Sequence, residues 1–348
     1  MTGVRAALIA VLIVLVPAPV ASWAHVRSTE GRSAIEQQGG VVRYALSLES
    51  GVLDAASGAA SAPDRDAALA AYLLPRVQVF LDGVECEGAL QAATLERIQG
   101  RDFTRSVLAY ECAGAASGGY EVRYGVFADG GVVDDHTNVA DFQLGGERGT
   151  FVFDAGHRRL SSGDGGLLSS APRFVAMGVE HILLGLDHVL FLALLLLGAH
   201  GLRSVVRLAT AFTVAHSTTL ALAALGWVDV PPEVVEPLIA LSIAYVAAEN
   251  VLGGESRHRL AVVFSFGLLH GLGFAGTLSF TDELDGRLLA SLLTFNVGIE
   301  LGQALIVAAL FPALLLVRRF RWSPAAHAGA AAGAGALGLL WFFDRLMA

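Results

Sequence analysis

Hydrophobic positions follow two different rhythms along this chain, and the change falls near residue 155. Before it, apolar and polar residues alternate over short runs, in Val41–Leu48, Arg76–Leu81, Arg105–Cys112, Tyr120–Phe127, Val139–Leu144 and Thr150–Phe153. A period of two is the mark of a half-buried strand. Asp82-Gly83, Gly118-Gly119 and Asp129-Gly130-Gly131 supply turns between them. Residues 25–155 are therefore expected to form an all-β, sandwich-like antiparallel domain, with the Ala-rich Ser57–Ala71 as a loop or short helix. Ser161-Ser162-Gly163-Asp164-Gly165-Gly166 reads as part of a flexible linker over residues 156–173.

After the linker the apolar runs lengthen to the ~20 residues that a ~30 Å hydrocarbon core requires. Six such runs, Phe174–Ala199, Ser204–Gly226, Glu233–Gly253, His258–Phe280, Leu288–Val317 and Ser323–Phe343, predict a six-helix transmembrane bundle over residues 174–346. Their connections alternate in charge. Arg203/Arg207, Arg257/Arg259 and Arg318/Arg319/Arg321 mark one side; Asp229/Glu233/Glu236 and Asp282/Glu283/Asp285 mark the other. The positive-inside rule places the arginine loops in the cytoplasm and the β-domain outside.

The N-terminus gives the same orientation independently. Arg5, the apolar Ala6–Val16, Pro17/Pro19 and Ser22-Trp23-Ala24 have the form of a secretory signal over residues 1–24, with an uncleaved anchor as the alternative. The expected location is the inner membrane, with the N-terminal domain periplasmic. Cys86 and Cys112 are the only two cysteines. Both lie in the exported part, where an oxidising compartment favours a disulfide of about 3 kcal/mol. The net charge of −9 over 348 residues leaves no basic surface, which excludes nucleic acid as a partner.

The costly feature is chemical. Glu180-His181 and Asp187-His188 lie inside the first span, where a charge costs roughly 2.5–3.5 kcal/mol and normally faces a bundle interior or a watery path. The second span carries Thr213, His216 and Ser217, and the fourth carries His270 between Gly267, Gly271 and Gly273. The fifth aligns Asn296, Glu300 and Gln303 on one helical face, and the third aligns Ser242, Tyr245 and Glu249 nearer the cytoplasm. Imidazole, carboxylate and amide donors without cysteine suit nickel, cobalt or zinc over copper(I). His181 and His188 are seven apart, about 10 Å along a regular helix. Either Gly185 permits a kink that draws them together, or they form two rungs of a path with Asp187 between; the two-rung arrangement is the one expected.

These residues also carry a resemblance. His181-x-x-x-Gly185-x-Asp187-His188, Phe212-Thr213-Val214-Ala215-His216-Ser217-Thr218-Thr219-Leu220, Phe266-Gly267-Leu268-Leu269-His270-Gly271-Leu272-Gly273-Phe274 and Phe295-Asn296-Val297-Gly298-Ile299-Glu300-Leu301-Gly302-Gln303 are together similar to the HupE/UreJ family of hydrogenase/urease accessory membrane proteins. The match resembles most the longer branch with an exported N-terminal domain and covers about residues 174–320. It implies a nickel or cobalt permease. Shorter members tend to have proline after the first histidine, where this chain has Ile182.

The leading expectation is a transition-metal permease with His181, Asp187, His188, His216, His270, Asn296 and Glu300 as ligands, supported by Glu180, Thr213, Ser217, Gln303, Tyr245 and Glu249. An intramembrane zinc hydrolase is the alternative. In it three histidines hold zinc, Asp187 or Glu300 acts as base and Ser217 lies near the oxyanion, but His-Glu-x-x-His and Gly-x-Ser-x-Gly are absent. A membrane accessory or sensor protein is the third reading, with a periplasmic protein or a second copy of the chain as partner. In the exported domain, His25, Asp134, Asp135 and His136 form a candidate capture site for metal.

Overall fold

A computed structural model of the chain describes residues 28–98, 100–114, 118–129, 133, 135–164, 170–199, 201–252, 258–273 and 286–347. The expected signal segment, His25 and Asp134 lie outside the described residues.

The N-terminal region is two sheets around one core. The larger has the order β5-β6-β2-β1-β8-β9, from β1 (Ser28–Gln38), β2 (Val41–Glu49), β5 (Glu87–Ile98), β6 (Arg101–Glu111), β8 (Asp135–Leu144) and β9 (Glu147–Phe153). The smaller has the order β10-β7-β3-β4, from β3 (Val77–Leu81), β4 (Val84–Glu85), β7 (Tyr120–Tyr124) and β10 (Arg159–Ser161). Tyr44, Leu46 and Leu108 of the large sheet share a buried cluster with Val79 and Val122 of the small one. Cys86 and Cys112 are joined in a disulfide.

Each expected strand is present, and the differences have physical reasons. Strand β1 has no apolar alternation to reveal it because its inward positions are Thr29, Gly31, Ser33 and Ile35, all buried. Ser33 hydrogen-bonds Tyr44 and Asn138, each at 2.9 Å, so polar inward groups are satisfied within the core. Strand β1 also pairs parallel with β8, so the sheet is not wholly antiparallel. The Ala-rich insert and its flanks form two helices, α1 (Ser50–Ser57) and α2 (Arg65–Leu73). Part of the expected linker is strand β10.

The C-terminal region is helical: α3 (Ala171–Leu184), α4 (Leu186–Leu197), α5 (Leu202–Ala224), α6 (Pro232–Leu252), α7 (Arg259–Leu272), α8 (Gly286–Val317) and α9 (Ser323–Met347). Among the described residues four helices, α5, α6, α8 and α9, are long and apolar enough to cross a membrane, and α3 with α4, bent by 70° at their break, makes a fifth candidate if the pair is one span. Helix α7, in the expected fourth span His258–Phe280, is apolar but only 14 residues long within the described residues. The region is a membrane-embedded bundle whose solvent on the outside is lipid.

Small residues set its crossings, as close packing in lipid requires. Gly178 of α3 and Gly298 of α8 face each other so closely that a methyl group on either would meet the other helix's backbone carbonyl. Gly267 and Gly271 of α7 press in the same way on the carbonyls of Phe212 and His216 in α5. The second of these contacts brings α7 and its His270 against the turn of α5 that carries His216.

Candidate metal centre

The break between α3 and α4 begins the site. Gly185 has extended backbone angles, φ −70° and ψ 95°, and serves as the end of one helix and the start of the next. Asp187 falls in the first turn of α4, where a carboxylate is favoured by the helix dipole. Its Oδ1 accepts from the backbone N–H of His188 at 2.9 Å, satisfying one of the donors that a helix start leaves free. Glycine is a poor helix former, by about 1 kcal/mol against alanine, so Gly185-x-Asp187 supplies both a stop and a restart without proline.

The bend removes the axial distance between His181 and His188. Their ring centres are 4.7 Å apart, against the two-rung spacing expected on a regular helix. His188 is also 5.9 Å from His216 and 5.1 Å from His270, and His181 is 5.9 Å from His216. An ion ~2.1 Å from an imidazole nitrogen lies ~3.2 Å from that ring's centre, so two rings sharing an ion stand about 5 Å apart. Four of the six ring pairs among these histidines of α3, α4, α5 and α7 fall near that spacing, with His270 placed against His188. Their nitrogens are not yet aimed at one point: among the described residues no three His, Cys, Asp or Glu groups are placed to hold a metal.

The cluster's hydrogen bonding is incomplete. Both ring nitrogens of His216 and Nδ1 of His270 are buried without a hydrogen-bond partner among the described residues. Asp187 Oδ1 is 3.0 Å from His188 Nδ1. Phe191 and Phe212 pack at 5.2 Å from His270 and keep the rings from lipid. Beside His188 and Gln303 lies a cavity of about 10 Å³, about the room one water needs. Buried imidazoles left without partners cost stability; their donor chemistry fits a borderline divalent ion such as nickel, cobalt or zinc.

The other expected ligands divide. Ser217 donates to Asn296 Oδ1 at 2.6 Å and Thr213 to Gln303 Oε1 at 3.2 Å, so these four join α5 to α8 at the cluster's edge. Asn296 donates in turn to the Leu292 carbonyl at 2.7 Å. Glu300 stands apart on the exposed face of α8. It shares the Asn296 side of the helix but lies about 40° further round, away from the buried Phe295 and Ile299. Glu180 is likewise exposed. Tyr245 is exposed and packs edge-on to Phe266 at 5.6 Å, while both Glu249 oxygens are buried without a partner among the described residues.

Of the expected capture site in the N-terminal domain, only the His136 side chain is described. Its Nδ1 is 2.8 Å from Thr29 Oγ1 and its Nε2 is 2.7 Å from the Tyr124 hydroxyl. With both nitrogens engaged inside the core, stacked on Tyr124 and edge-on to Phe127, it has no lone pair free for a metal. Burial pushes its pKa down to about 4, against the opposing pull of the Thr29 carbonyl. Asp135 lies in β8.

Three residues outside the expected set close the bundle's arginine-loop end. Arg318 donates to the carbonyls of Leu197 and Ala199 at 3.1 and 3.0 Å, Arg259 to Gly198 at 3.2 Å and Asn250 to Leu194 at 2.8 Å. Together they satisfy the acceptors at the end of α4. A span reading that treats arginines only as topology markers has no signal for this; an apolar run ending in Gly198 beside distant basic loops is the faint one.

No curated protein matches the chain. The model of the family described as HupE / UreJ protein matches residues 162–345, more than half of the sequence and the whole of the histidine-bearing bundle, and the chain belongs to that family.

Proposed function

We propose that the protein is a transition-metal permease whose substrate is nickel or cobalt, with zinc as a further candidate. The observation that carries this reading is the clustering of His181, His188, His216 and His270 about His188, with ring separations of 4.7–5.9 Å in four of the six pairs. The nitrogens of His216 and His270 that lack a partner among the described residues support it, because buried polar groups are otherwise hydrogen-bonded in native proteins. Family membership supports it too, since the HupE/UreJ family is associated with nickel and cobalt accessory or transport function. The arginine-bearing loops are cytoplasmic and the β-rich region periplasmic in this reading.

Uptake of labelled nickel, cobalt and zinc into proteoliposomes tests it. Uptake by the natural protein that is lost in His188→Ala and His216→Ala is the result expected. No uptake of any of the three ions, or uptake unchanged by both substitutions, contradicts it.

A further inference from the structure

We infer that Ser242 of α6 is a positioning residue that fixes the tautomer of His270, with the proton on Nε2 and the lone pair on Nδ1. This rests on the metal reading only for its purpose; the tautomer itself follows from hydrogen-bond geometry. Ser242 is fully buried, and its Oγ lies 2.7 Å from the carbonyl of Ile239 and 3.1 Å from His270 Nε2. A hydroxyl has one proton to give. The shorter contact has the usual length of an O–H···O bond, whereas 3.1 Å is ordinary for an N–H donor and long for a hydroxyl. Ser242 therefore donates to Ile239 and accepts from the His270 Nε2–H.

The opposite tautomer is disfavoured at both ends. It would leave a proton on Nδ1, which is buried with no partner among the described residues. Orphaned buried N–H groups are rarer than unfilled acceptors. It would also require Ser242 to give up the shorter of its two bonds. In the assigned form, Nδ1 is a lone pair held in the interior beside His188, whose ring centre is 5.1 Å away. An imidazole binds a cation through a deprotonated nitrogen, and the hydrogen bond on the other nitrogen orients the ring. The serine thus prepares His270 to offer Nδ1 before any ion arrives.

Nitrogen-15 NMR of histidine-labelled, metal-free protein in nanodiscs reads this directly, with the His270 signals assigned by their loss in His270→Gln. The expected result is a single Nε2–H tautomer for His270 in the natural protein. It becomes a mixture in Ser242→Ala and is kept in Ser242→Thr, whose hydroxyl can make the same bonds. Cobalt affinity should fall by about 10–100-fold in Ser242→Ala, the usual effect of removing a ligand's hydrogen-bond partner, and recover in Ser242→Thr. An Nδ1–H form in the natural protein overturns the inference, as does a tautomer indifferent to Ser242→Ala. An Nε2–H form in a protein that binds no cobalt supports the tautomer assignment and removes the permease reading instead. The natural protein's spectrum decides the assignment even if a variant fails to fold.

Discussion

Each half of the molecule packs histidine inward, His136 half-buried and His216 fully buried, and the two halves treat it in opposite ways. In the β-rich region His136 has Thr29 on one nitrogen and Tyr124 on the other, and aromatic rings on its faces. In the bundle His216 is fully buried with neither nitrogen satisfied among the described residues. An unmade hydrogen bond on a buried polar group costs about 1–3 kcal/mol, so the first arrangement stabilises a fold and the second works against one. In the proposed function, the unsatisfied groups of the cluster are the ones that the ion engages. A saturated histidine needs no such partner.

The largest expected difference follows from that contrast. His188→Ala or His216→Ala should reduce metal uptake by at least about 100-fold, the upper end of what even indirect changes at metal sites cause, with little loss of thermal stability. His136→Ala should do the reverse: uptake per folded molecule unchanged, and about 3 kcal/mol lost from the β-rich region through a cavity and two broken hydrogen bonds. Uptake assays and calorimetry on the same three variants check both halves. The acid behaviour of the β-rich region should sharpen the point. Since burial holds the His136 pKa at about 4, below the ordinary value of 6.5, the folded state binds this proton less readily than the unfolded one. The stabilisation is complete above about pH 6.5 and is lost as pH falls toward 4, a total of about 3 kcal/mol. Denaturant titrations of natural protein and His136→Phe between those limits should converge as pH falls.

A smaller effect is expected at the bend. A methyl group on Gly185 would lie 2.7 Å from both the His181 carbonyl and His188 Nδ1. Gly185→Ala should therefore displace the His188 ring and lower uptake by about 10-fold, roughly 1.4 kcal/mol on the transport barrier, measured in the same vesicles. The smallest change is expected for Arg318→Ala, which leaves the carbonyls of Leu197 and Ala199 without their donor. A loss of about 1 kcal/mol should appear as a lowered melting temperature of the bundle, with the metal affinity of the cluster retained.

Sequence patterning revealed the two regions because strand and span periodicities are set by burial, and both regions obey it. It missed β1 because that strand turns Thr29, Gly31 and Ser33 inward and so has no apolar stripe. It named the four clustered histidines, since their price in lipid is visible residue by residue. The geometry between them was legible only as an alternative, a kink at Gly185 set beside the two-rung path that was expected. His181 and His188 look ~10 Å apart on a continuous helix, and only a bend at Gly185 brings their rings together. The stop-and-restart signal of Gly185 and Asp187 was present, but an unbroken apolar run conceals a change of direction. Glu300 shows the converse limit: it shares a helical face with Asn296 and Gln303, and only the packing of α8 shows that the face ends before it.

The central claim is that four imidazoles in the bundle form a site for one divalent ion. Titration of the purified protein with cobalt, followed by the visible ligand-field absorption of the bound ion, tests it most directly. One cobalt per chain with a nitrogen-rich spectrum, abolished in the His188→Ala/His216→Ala double variant and unaltered in His136→Ala, is the predicted result. Absence of binding, or the same spectrum in the double variant, would contradict it.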